Sequence, residues 1–181
     1  EQSGDSYKKH ALAVLADLNK STPNFTLNDE ALYMRATILE GLNQQEAAFT
    51  VWQSLAKEGR DSIYTVHANI AIGDHSFEKE KAPQALKAYQ NAGNVLSRVQ
   101  GPEVAYEKLR VNYRLAWAAY RTADLNQALA AAQNLLHPEA DLKRISMQKR
   151  MTQDACDLIA DTLFEQDTPE KTKDYLQKDL L

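Results

Sequence analysis

Residues 115–136 read LAWAAYRTADLNQALAAAQNLL, and this stretch decides the fold. Ala116 opens one apolar helical face, and Ala128, twelve positions on, opens the next. The same interval separates Ala36 from Ala48, Gly73 from Ala85 and Ala160 from Thr172. Four positions past the second member stands a bulky side chain in three copies, Trp52, Tyr89 and Leu176, with Ala132 the exception. Seven positions past it come Leu55, Ala92 and Leu135, and Asp179 breaks the rule in the fourth copy. A small-to-small interval that recurs every few tens of residues is the mark of stacked two-helix units.

Composition agrees. Six glycines and five prolines are few for 181 residues, and helix-forming Ala, Leu, Gln, Glu and Lys dominate. Nine helices are expected, at 4–19, 28–42, 45–58, 61–79, 82–98, 102–122, 125–136, 139–165 and 168–180. Pro83, Pro102 and Pro169 fit first-turn positions, and Thr168 is a suitable N-cap for the last helix. Gly59 and Gly101 fit helix C-termini. No stretch alternates with period two for long enough to argue a strand, so the expected class is all-α.

The first-helix small residues stand at 36, 73, 116 and 160, giving steps of 37, 43 and 44 residues. The second-helix positions, 48, 85, 128 and 172, repeat those steps, so length varies between units and never inside the interval. An insertion there would separate the small residues through which two antiparallel helices touch.

These units resemble tetratricopeptide repeats. The stretches that carry the resemblance are Leu32/Ala36/Leu39/Ala48/Trp52/Leu55, Ile72/Gly73/Phe77/Ala85/Tyr89/Ala92, Leu115/Ala116/Tyr120/Ala128/Leu135 and Ile159/Ala160/Phe164/Leu176. The first-helix aromatic stands one place later than is usual in that family, and the longer steps exceed its repeat of about 34 residues. The wording of residues 70–136 is similar to large tetratricopeptide proteins of proteobacterial cell envelopes. The resemblance implies a right-handed α-solenoid of antiparallel helix pairs over 1–181. Its parts would be a half repeat at 1–27, repeats at 28–60, 61–98 and 102–137, and a repeat with a polar C-terminal cap at 139–181. Ala11, 37 positions before Ala48, heads the half repeat with Leu15, Leu18 and Pro23. Opening on a half repeat and at Glu1, the chain is expected to be a piece of a longer protein whose neighbouring repeats adjoin it.

In that family the first helices line a concave surface. The third unit presents Arg110, Tyr113, Arg114, Trp117 and Arg121 there, one stripe at helical spacing. Arginines bind carboxylates or backbone carbonyls and aromatics add flat apolar area, so the stripe suits an extended peptide. Arg110 and Arg114 match basic positions of clamp-type repeats, whereas the first unit has Tyr33 and Thr37 where the clamp carries Lys and Asn. A second reading of the same arginines is structural. If equal repeat positions lie side by side, Arg110 faces Asp154, and Arg121 lies between Glu78 and Glu165, as ion pairs that set register. Phe77, Tyr120 and Phe164 share one repeat position and are expected to pack as a ladder between units.

Other chemistries have little basis in this sequence. A net charge of −4 gives no electrostatic footprint for nucleic acid, and the run Lys143, Arg144, Lys149, Arg150 reads as a solvated helix face. The lone Cys156, set among Ala155, Leu158 and Ile159, reads as a buried structural thiol. His10, His67, His75 and His137 are isolated, without metal-ligand spacing. Asp74, His75 and Glu78 form the one compact acid/base group, and a solvated face accounts for them. The acids Asp154, Asp157, Asp161 and Glu165 lie on a straight helix, a poor cage for calcium. Asn24-Phe25-Thr26 is a glycosylation sequon. No apolar run approaches the roughly 20 residues of a membrane span. No enzyme activity, metal or cofactor is therefore expected. The expected function is a protein-interaction scaffold presenting a groove to a peptide or partner domain, in a periplasmic or envelope-associated setting by resemblance. The alternatives are an accessory domain of a peptidoglycan-processing envelope enzyme and a homo-oligomerisation module.

Overall fold

The structure is a computed structural model, and it describes residues 2–21, 27–58, 60–136 and 146–165. Among these it is all-helical: α1 (Gln2–Ser21), α2 (Asn28–Gly41), α3 (Gln45–Glu58), α4 (Ile63–Glu78), α5 (Ala82–Leu96), α6 (Val104–Arg121), α7 (Leu125–Leu136) and α8 (Ser146–Glu165). The expected start of the eighth helix at 139–145 and the ninth helix at 168–180, with Thr168 and Pro169, lie outside the described residues, as does Gly59. The chain forms two compact units, 1–101 and 102–181.

Local chemistry sets the helix ends. Ser62, in an extended conformation, caps α4 by accepting from the Thr65 backbone N–H at 3.2 Å, and Asp124 caps α7 through the Gln127 N–H at 3.1 Å. Pro83 sits in the first turn of α5 as expected. Pro102 and Gly101 do not take their expected places, since α5 ends at Leu96 and α6 begins at Val104, leaving both in the connection. Gly101 has φ 154°, a backbone that favours glycine.

The twelve-residue interval has a concrete cause. Three helix pairs, α2/α3, α4/α5 and α6/α7, are joined by the same three-residue turn. In each, the middle residue is left-handed: Asn43 at φ 59°, Glu80 at φ 58° and Ala123 at φ 58°. Its N–H bonds back to Glu40, Phe77 or Tyr120, and the next N–H reaches the carbonyl of Leu39, Ser76 or Ala119. That paired closure satisfies the last carbonyls of the first helix and reverses the chain at once. The left-handed residue lies seven positions after Ala36, Gly73 or Ala116 and five before Ala48, Ala85 or Ala128. One turn geometry therefore fixes the interval between the small residues of each pair.

Those positions are dry. Ala36, Ala85, Ala116 and Ala128 are 0% exposed, and Gly73 is also buried. At Gly73 the approach is closest, because a Cβ built there would land on the ring of Tyr89. Trp52 and Tyr89, the bulky residues of the pattern, are buried and send their polar atoms to carboxylates on the partner helix. The Trp52 indole donates to Glu40 at 2.8 Å, and the Tyr89 hydroxyl to Asp74 at 2.7 Å. Consecutive helices pack within each unit, and α4 packs on both α2 and α3 as α8 does on both α6 and α7. The first unit's core joins Leu32, Leu39, Val51, Trp52 and Leu55 across α2 and α3, with Leu12 of α1 against it. The second unit's core joins Leu109, Ala132, Leu135, Met151, Leu158 and Leu163.

The fourth copy departs from expectation. α8 buries Met151, Ala155, Leu158, Ile159, Thr162 and Leu163, whereas Ala160 and Phe164 project from the opposite side of the helix. Phe164 is 87% exposed, so it is not a packed rung with Phe77 and Tyr120. The position of an aromatic in the repeat does not set its burial; the helix face turned toward its neighbours does. Thr172 and Leu176 lie outside the described residues.

Two stability outcomes follow from these contacts. Gly73→Ala should lower the urea midpoint by a stability equivalent of about 1–3 kcal/mol through overpacking, exceeding the helix-propensity gain of about 1 kcal/mol. Combined with Tyr89→Leu the penalty should vanish; a more stable single variant would refute the close contact. Ala123→Gly should raise stability by up to about 1 kcal/mol by relieving a left-handed alanine, with a smaller gain for Asn43→Gly because Asn tolerates that region. Equal losses at both turns, read by urea unfolding, would contradict the turn geometry.

Candidate functional site

All five stripe residues stand on α6, where spacings of three and four align them on one side. Arg110 is committed within its own helix. Its Nη1 reaches both oxygens of Glu107, at 2.9 and 3.0 Å, and its guanidinium lies 5.8 Å from the centre of the Tyr106 ring. Glu107 is 4% exposed, and a carboxylate that deep requires a charged partner. This corrects the pairing of Arg110 with Asp154. Asp154 is met instead by Tyr113, whose hydroxyl donates to Oδ2 at 2.8 Å. Glu165, expected beside Arg121, accepts from the Tyr120 hydroxyl at 2.7 Å.

The reason lies in the offset between successive first helices. Tyr113 lies three positions before Ala116, but Asp154 lies six before Ala160. The other unit repeats the offset: Tyr33, three before Ala36, has its ring 5.3 Å from that of His67, six before Gly73. Equal repeat positions therefore do not sit side by side at this level; the contact is displaced by about one helical turn.

The rest of the stripe is a mixed surface. Trp117 is half-buried against the second core and meets Tyr120 edge-on, with ring centroids 6.4 Å apart and planes at 90°. Arg114 is half-buried and its Nη1 lies 3.5 Å from the Arg110 carbonyl. Arg121 is exposed in the last turn of α6, where a cation suits the helix dipole. Burial, with the hydrogen bond to the anionic Asp154 added, pushes the Tyr113 phenol above its ordinary range. At Tyr120 the hydrogen bond to Glu165 is the main cause of a shift in the same direction. Each phenol donates to a carboxylate, and ionising it would place two anions together.

The structure also shows a polar junction that the pattern did not single out. Near the start of α2, Asn28 and Asp29 are 5% and 6% exposed. The Asn28 amide donates to Glu58 at 3.0 Å, and Ser62 Oγ donates to Asp29 Oδ2 at 2.9 Å. Arg60 Nε stands 3.6 Å from Asp29 Oδ1. Ser62 thus caps α4 and ties it to α2 with one hydroxyl. The sequence puts Ser62 inside a helix at 61–79, so neither its cap nor its partner 33 residues away was legible.

The remaining candidates are absorbed by packing. His75 stacks on Phe49 at 4.1 Å, and Asp74 accepts from Tyr89. Cys156 is half-buried, not fully buried as expected. Arg150 is exposed, while Lys143, Arg144, His137 and the Asn24 sequon lie outside the described residues. Among the described residues no three His, Cys, Asp or Glu side chains gather as a metal site, and no helix is long and apolar enough to cross a membrane.

A pH dependence follows from the raised phenols. A proton held more tightly in the fold gives stability that is complete below the unfolded phenol value of about 10 and is lost as pH rises through the folded value. Wild-type urea midpoints should therefore fall between pH 9 and 11, and Tyr113→Phe combined with Tyr120→Phe should flatten that fall. An unchanged slope in the double variant would contradict the phenol–carboxylate pairs.

Comparison of the chain with protein-family models, with curated proteins and with solved structures finds no match.

Proposed function

We propose that the chain is a right-handed α-solenoid of tetratricopeptide-like units and serves as a protein-interaction scaffold. The observation that carries this reading is the recurrence of one contact at one repeat offset, Tyr33 on His67 and Tyr113 on Asp154. A repeated helix pair cannot bury both its faces alone, so repetition of the same inter-repeat contact favours stacking as the principle of the fold. Within a unit, neighbouring first helices make one surface, and such surfaces bind extended segments. Its third-unit portion offers Tyr113, Arg114, Trp117 and Arg121. Arg110, the fifth residue of the stripe, also holds Glu107, as Tyr113 also holds Asp154. The envelope setting rests on the wording of the sequence alone.

Panning a random peptide display library on the full 181-residue chain tests the proposal. Selected peptides should bind the wild type and lose about tenfold or more in affinity on Arg121→Ala and on Trp117→Leu, which keeps an apolar side chain against the core. Arg110→Ala should instead lower the unfolding midpoint, because the buried Glu107 would lose the guanidinium that reaches both its oxygens. Peptides that bind the Arg121 and Trp117 variants as tightly as the wild type, with unfolding midpoints unchanged, would overturn the groove at this unit.

A further inference from the structure

We draw no further inference here: the strongest candidate, the outward face of α8 where the exposed Phe164 stands near Asp157, Asp161 and Glu165, is an unpartnered ring beside an acidic cluster, and nothing in the structure shows what covers it.

Discussion

The three-residue turn that joins two helices between a pair of buried small residues is the constraint on which each repeat depends. Side chains no larger than alanine stand buried at Ala36/Ala48, Gly73/Ala85 and Ala116/Ala128, and a shared turn fixes the interval between them. That turn needs a left-handed residue, and none of the three is glycine. Glu and Ala there carry a conformational cost of about 1–2 kcal/mol and Asn a smaller one, which the packing of the helix pair outweighs. The fixed turn also explains why the interval cannot vary: one added residue would rotate the second helix by about 100° and turn its small face away.

Once the pairs close, the polar tips of large rings need partners. Trp52 and Tyr89 are almost wholly buried, yet each places its donor on a carboxylate of the neighbouring helix. Tyr113 and Tyr120 do the same across α6 and α8. In each case a neutral hydroxyl or indole N–H donates to a carboxylate oxygen, which needs no cation to satisfy it. Glu107 and Arg110 follow the other course, since a carboxylate so deeply buried is stabilised better by a full cation. The candidate surface is thus graded by burial: Arg110 is half-buried on Glu107, whereas Arg121 is exposed.

Much of this was legible in advance, for physical reasons that operate locally. The bounds of α3 and α7, expected at 45–58 and 125–136, match the structure because apolar spacing is a near-neighbour signal. The small pairs were legible because a fixed turn sets a constant sequence interval. The stripe on α6 was legible as well, because helical spacing alone aligns Arg110, Tyr113, Arg114, Trp117 and Arg121. The burial of Cys156 and Phe164 was misread because hydrophobic neighbours in sequence do not say which side of α8 meets α6 and α7.

The sequence by itself determined that the described residues are helical, where most helices turn, and which small residues are buried. Each of those depends on residues a few positions apart along one chain. Only the tertiary structure decided which acid meets which donor. The axial offset between successive first helices is about one turn at Tyr113, set by the packing of whole helix faces, and it moves Asp154 from Arg110 to Tyr113. Burial then completed the assignment, since the depth of Glu107 holds Arg110 in its own helix, and depth is a property of the assembled repeat rather than of any stretch within it.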